Sequence, residues 1–292
     1  MRIVSLVPAA TEIAGELVAV THDCDHPAWV RDLPRITRST IAAGSESAAI
    51  DAAVRDAASR GESTFHLDAD ALRAARPDGL LGQTLCHVCA VTLTQVPTGS
   101  EREPTVVPVE AHSLDRIFDD ILRVAGAIGR GEIGTALVAP LRARLARVAA
   151  AVGDADRPRV TCLEWLSPLF NAGHWVPEQV GIAGAVDTLG MAGERSREVV
   201  LADVAAAQPD AICLMPCGFD AVRAMREAAA LREDVAWRSL DAVRAGRVYA
   251  LDGHAYFSRP GPRAVDGAEL LASILHRGRV GRPAGASVLR LH

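Results

Sequence analysis

Ala74-Ala75-Arg76-Pro77-Asp78-Gly79-Leu80-Leu81 and Ala206-Ala207-Gln208-Pro209-Asp210-Ala211-Ile212-Cys213 are two versions of one pattern. In each, an alanine-rich helix ends, Pro-Asp turns the chain, and an apolar run follows that reads as a buried strand. The strands that open the two halves also match: Arg2-Ile3-Val4-Ser5-Leu6 against Arg159-Val160-Thr161-Cys162-Leu163. Strand, helix, Pro-Asp turn and strand, occurring twice, predict an α/β protein with two Rossmann-like lobes.

Between the repeats the pattern is helical almost without interruption from 114 to 151, with Ile117, Ile121, Val124, Ile128, Leu137, Leu141, Leu145 and Val148 at helical spacing. Ser113 is a suitable N-cap, and Gly129-Arg130-Gly131 predicts a break. The expected organisation is an N-terminal α/β lobe (1–112), a long helical spine (113–153), a C-terminal α/β lobe (154–276) and a loose tail (277–292). Strands are expected at 3–6, 18–21, 79–82, 106–109, 159–163, 210–214 and 247–251. Helices are expected at 10–17, 46–59, 70–75, 176–183, 201–207, 220–231 and 267–276. The strand ends of the two lobes would then face a ligand cleft between them.

Composition excludes several classes. Hydrophobic residues make up 49% and charged ones 23% of the 292 residues, as in a soluble globular protein. The net charge is −5 and no long basic run occurs, so no nucleic-acid partner is expected. No apolar stretch approaches the ~20 residues that span a bilayer. Met1 leads straight into the first strand with no secretory leader, which places the expected location in the cytoplasm. There the six cysteines would be thiols or metal ligands rather than structural disulfides.

The chemistry is concentrated in turns that follow strands. Cys86-x-x-Cys89 has the spacing to bring two sulfurs to one metal or to act as a redox dithiol. With Cys24, in His22-Asp23-Cys24-Asp25-His26-Pro27, and Cys217, in Met215-Pro216-Cys217-Gly218-Phe219, it makes a candidate set for Zn or an iron–sulfur cluster. The alternative is a set of buried, inert thiols, the reading given to Cys162 and Cys213 inside their strands. Glu164-Trp165 and His174-Trp175 offer a carboxylate, an imidazole and two flat aromatic faces. Tyr256-Phe257-Ser258-Arg259-Pro260-Gly261-Pro262-Arg263 sets two guanidinium groups beside an aromatic pair, and Arg259 is the candidate clamp for a carboxylate or phosphate. No Gly-x-Gly-x-x-Gly, phosphate-binding loop or Gly-x-Ser-x-Gly motif occurs.

These segments carry a family resemblance. The first strand, Pro8-Ala9-Ala10-Thr11-Glu12, the helical spine and the second lobe together resemble the helical-backbone substrate-binding proteins that serve importers of cobalamin and iron chelates, over about residues 1–276. The 22–27 turn, Gln83 with Cys86 and Cys89, Cys162-Leu163-Glu164-Trp165, Gly173-His174-Trp175-Val176-Pro177, 215–219 and 256–263 look closest to a cytoplasmic, cobalamin-binding-like branch. The resemblance implies a small-molecule ligand, cobalamin or a related metal chelate, held between the lobes. Its expected contacts are Glu164, Trp165, His174, Trp175, Tyr256 and Arg259, with Cys24, Cys86, Cys89 and Cys217 as metal ligands. Missing leader, few aromatics and unusual thiols depart from exported carriers, and so argue against docking to a transporter. A metalloprotein or enzyme on the same fold, with a cysteine-rich Zn or iron–sulfur site, is the alternative.

Overall fold

The computed structural model describes residues 1–83 and 104–291. The chain divides into two compact units, Met1–Ala111 with Asp115–Ala139, and His112–Leu114 with Pro140–His292. The first contains β1 (Ile3–Ser5), α1 (Pro8–Ala14), β2 (Thr37–Ser39), α2 (Ser47–Ser59), β3 (Phe65–Leu67), α3 (Ala69–Ala75), β4 (Gly79–Gln83), β5 (Thr105–Val109) and α4 (Leu114–Ala127). The long α5 (Gly131–Val152) begins there and passes into the second unit at Pro140, within the helix. The second continues with β6 (Arg159–Leu166), β7 (Leu169–Asn171), α6 (Val176–Ile182), β8 (Val186–Asp187), α7 (Leu201–Ala207), β9 (Ala211–Leu214), α8 (Ala221–Glu227), α9 (Val235–Ser239), α10 (Asp241–Arg244), β10 (Val248–Leu251), α11 (Gly253–Tyr256), α12 (Ala264–Leu275) and β11 (Val288–Leu291). The helical block breaks where the glycines stand, with Gly129 at φ +75°. It is shared between the units and is not a body of its own.

In the first unit β1, β4 and β5 form a parallel sheet in the order β1-β4-β5. Ile3 and Leu81 bury one face with Val7, Ala10, Val20, Val107 and Val124. Val4 and Leu80 bury the other with Leu6, Ala19, Ile36 and Leu72. Burial on both faces is why these strands read as continuous apolar runs. In the second unit the order is β11-β10-β9-β6-β7, with β8 beside the start of β6. Strands β6, β9 and β10 are parallel, and Leu163, Ile212, Leu214 and Val248 pack with Val204, Trp237 and Leu240.

The repeat folds the same way twice. The Arg2 amide donates to Asp78 Oδ2 (2.7 Å), the Asp78 amide returns to the Arg2 carbonyl (2.8 Å), and Arg2 Nε reaches the Ala75 carbonyl (2.8 Å). The Arg159 amide donates to Asp210 Oδ2 (2.8 Å), Asp210 returns to Arg159 (2.7 Å), and Arg159 Nη2 reaches the Ala207 carbonyl (2.8 Å). The preceding helices both end on a left-handed residue, Arg76 at φ 43° and Gln208 at φ 45°. The register is also equivalent: Ile3 lies opposite Gly79, and Val160 opposite Ala211.

Three expectations are corrected. The strand expected at 18–21 is reduced to isolated bridges, Val4 with Ala19 and Val20 with Arg35. The helix expected over 220–231 tightens into a 3₁₀ turn at Ala228–Glu233. The tail is not loose at its end, because Val288–Leu291 pairs antiparallel with β10 and buries Leu291.

Candidate functional site

The parallel strands β6, β9 and β10 of the second unit lie side by side; β6 carries Glu164 and Trp165 near its end, and β9 and β10 run into turns bearing the other candidate residues. The turns are bonded to one another. The Met215 amide donates to the Leu163 carbonyl (2.9 Å), Cys217 to Glu164 (3.0 Å), and His254 to Phe219 (3.1 Å). Gly253 makes the closest approach. A Cβ there would overlap the Pro216 carbonyl oxygen and stand 2.5 Å from the Met215 oxygen, so only glycine fits. Asp252 caps α11 by accepting from the Ala255 amide (2.8 Å). Burial raises its carboxyl above the usual range, against that hydrogen bond.

On this edge Trp165 is half-buried, its ring 5.2 Å from that of Phe219 and tilted 49°. The Arg223 guanidinium lies 3.6 Å from the Phe219 ring centre, a cation–π contact. Glu164 Oε2 accepts from the Gly173 amide (3.3 Å). Arg259 is only 5% exposed, and its Nη2 lies against the His254 ring nitrogens. Tyr256 is buried, and burial raises its phenol first, with Asp252 and Asp266 adding to it.

The turn from 256 to 264 is braced by a residue absent from the expected set. Gln179 of α6 is fully buried, and its Nε2 donates to the Tyr256 carbonyl (3.1 Å) and the Ala264 carbonyl (2.6 Å). A Cβ at Gly267 would stand 2.7 Å from that same Tyr256 oxygen. The one sequence signal for this brace is an amide on an otherwise apolar helix face.

His174 occupies the left-handed region, at φ 54°. Its amide donates to the Glu194 carbonyl (2.6 Å) and its carbonyl accepts from Gly193 (2.9 Å), which holds the backbone from both sides. Its Nδ1 is 3.2 Å from Nδ1 of His112, another residue that no local pattern marks. Burial holds its imidazole below the usual histidine range, with His112 and Arg195 pushing the same way. Trp175 stacks on His174, with ring centres 5.9 Å apart, and is itself buried with Nε1 unpartnered.

The cysteines separate by environment. Cys24 lies in the core of the first unit, 1% exposed, its Sγ 3.0 Å from Thr11 Oγ1 and 3.2 Å from Thr21 Oγ1. Cys162 and Cys213 are register partners on β6 and β9 and fully buried. A hydrogen bond to Cys213, together with burial, pushes the Cys162 thiol up. Cys217 is half-buried at its turn. Cys86 and Cys89 lie outside the described residues. Among the described residues no group of three or more His, Cys, Asp or Glu side chains could hold a metal ion, so nothing there supports the Zn or iron–sulfur alternative.

Residues 43–255 match the family described as periplasmic binding protein, and the chain belongs to that family. Solved structures agree in fold over 94–100% of the chain. A periplasmic heme-binding protein from Pseudomonas aeruginosa superposes with a TM-score of 0.69 at 20% identity, covering 100% of this chain and 99% of that one. The periplasmic vitamin B12 binding protein of Vibrio cholerae gives 0.64 at 21%, covering 94% and 96%. An ABC transporter substrate-binding protein from Listeria monocytogenes EGD-e gives 0.69 at 18%, covering 94% and 98%. At these identities the likeness is one of fold. No curated protein matches the chain in sequence. The cytoplasmic expectation gains no support from these relatives; no helix among the described residues is long and apolar enough to cross a membrane.

Proposed function

We propose that this protein binds cobalamin or a related macrocyclic metal chelate, such as haem, at the strand-end turns of its second unit. The observation that carries the reading is the edge formed by Trp165 on Phe219, with Arg223 against Phe219 and Arg259 buried nearby on the β10 turn. A flat aromatic face suits a planar ring, and a guanidinium suits the propionates of haem or the phosphate of cobalamin. Family membership and two neighbours named for vitamin B12 and heme support the ligand class. Glu164 and His174 supply polar contacts in this reading, while Trp175 and Tyr256 act from behind as rigid backing.

The test is absorbance titration of tag-free protein with cyanocobalamin and, separately, haemin, with tryptophan quenching as a second signal. One ligand is expected to saturate at about one equivalent, and Trp165→Ala to weaken it about tenfold, a loss of ~1.4 kcal/mol. No binding of either ligand at high micromolar concentration would overturn the proposal.

A further inference from the structure

We propose that His112 and His174 form a bidentate site for a single late first-row divalent metal ion, of the Cu, Ni or Zn kind, taken as the free or loosely chelated ion. The two Nδ1 atoms face each other at 3.2 Å, although the residues are 62 positions apart in sequence. At the usual metal–imidazole distance of about 2.0–2.1 Å, that separation gives an N–metal–N angle of about 100–106°. This is a cis pair, near the tetrahedral angle, with the remaining positions open to water or an exogenous donor. Imidazole nitrogen suits these ions rather than Mg or Ca.

Both histidines belong to the second unit. His174 is held in place before any metal arrives. Its backbone is tied at both ends to residues 193 and 194, its φ of 54° is one that few side chains tolerate, and its ring is stacked on buried Trp175. In the metal-free pair, one Nδ1–H donates to the other Nδ1. Metal binding requires both lone pairs, so the donating ring moves its proton to Nε2 through water, and no net proton is released.

The pair shares His174 with the proposed chelate contacts but rests on its own geometry. A single ion would need only the two Nδ1 atoms of His112 and His174, and none of the aromatic or guanidinium groups assigned to the chelate. The inference therefore stands independently of the chelate reading.

The experiment is calorimetric titration of tag-free wild type, His112→Gln and His174→Asn with Cu²⁺, Ni²⁺ and Zn²⁺ salts. Asparagine is chosen because it accepts the left-handed backbone. About one equivalent is expected in wild type, with nitrogen hyperfine structure in the Cu²⁺ EPR spectrum. Either variant should lose binding at the concentration that saturates wild type, while its circular dichroism is unchanged. If His174→Asn fails to fold, His112→Gln decides alone. Wild-type affinity retained in His112→Gln, or no binding by wild type, would overturn the proposal. Failure of the cobalamin and haemin titrations would leave this result untouched, and the reverse also holds.

Discussion

Replacing Gly253 by alanine tests whether the strand-end edge is built by backbone contact between the β9 and β10 turns. The new Cβ would overlap the Pro216 carbonyl oxygen, stand 2.5 Å from that of Met215 and lie 2.7 Å from the Met215 carbonyl carbon. All three are backbone atoms, so no side chain can rotate away. Overpacking typically costs about 1–3 kcal/mol, and a clash with fixed backbone belongs at the upper end. For a unit of this size ~3 kcal/mol lowers the melting temperature by about 6–12 °C. Two other glycines calibrate the effect. Gly218, at φ +77° with nothing within 4 Å, carries only the left-handed penalty, so Gly218→Ala should cost about 1–2 kcal/mol. Gly181, in α6 with an ordinary φ and open space, should tolerate alanine or gain up to about 1 kcal/mol. The assay is thermal unfolding followed by circular dichroism on the three variants side by side. Gly253→Ala should be the most damaging, Gly218→Ala intermediate, and Gly181→Ala neutral or stabilising. If Gly253→Ala melts no lower than Gly218→Ala, the close approach of the two turns is not what fixes glycine at 253.

Burial pushes the Asp187 carboxyl up to about 6, although its Oδ1 accepts from the Leu189 and Gly190 amides. The folded state thus binds this proton more tightly than the unfolded chain, so its contribution is full below about pH 4 and is lost as pH rises through about 6, a span of ~3 kcal/mol. Asp187→Asn should flatten the fall in denaturant-measured stability between pH 4 and 6.5; an unchanged slope would refute the assignment. Native-state alkylation mapped by mass spectrometry should mark Cys217 ahead of Cys24, Cys162 and Cys213, which are buried; early labelling of Cys162 would contradict its sealed position between β6 and β9. Arg144 pairs with both Asp266 and Glu269, linking α5 to α12. Arg144→Met should cost about 1–3 kcal/mol by chemical denaturation, because two half-buried carboxylates are left facing each other.

The parallel strands and the long helical block were legible because each is a run of residues whose apolar period matches its structure. The repeat was legible because Pro-Asp and an arginine recur at the same offsets. What escaped was pairing between distant, short or polar segments. Thr37-Arg38-Ser39 and Phe65-His66-Leu67 pair antiparallel as β2 and β3, yet the first carries no apolar alternation and the second is only three residues long. Val288–Leu291 buries little beyond Leu291, so its strand character depends on β10 beside it. The same limit holds at the site. Glu164 and Trp165 stand near the end of β6, Cys217 follows β9, and Arg259 follows β10 and α11, so a strand-end pattern in the sequence is enough to select them. Gln179 and His112 act through partners 77, 85 and 62 residues away, and no local pattern marks such contacts. Cys24 lies in an apolar cluster with its sulfur beside two threonine hydroxyls, a setting that its polar neighbours in sequence do not convey.

The repeat also explains why function should be sought at one end of each sheet. At the end where β1 and β6 begin, the two units use the same device: arginine, the helix carbonyl and the Pro-Asp carboxylate satisfy one another with nearly equal distances. Those groups are committed to holding strand register, and a change there would be felt as lost stability. At the opposite end the units part company. Ser5 leads to Leu6 and Val7, with Ser5 Oγ donating to the Val7 carbonyl and accepting from Thr11 Oγ1, and the chain enters α1. Its counterpart Cys162 leads instead to Glu164 and Trp165, in a strand that extends to Leu166 and pairs with β7. A scaffold held constant at one end and varied at the other confines chemical difference to the varied end. In the second unit that difference is the aromatic, carboxylate and guanidinium groups between Glu164 and Arg259, and open α/β sheets bind ligands at just such carboxyl ends.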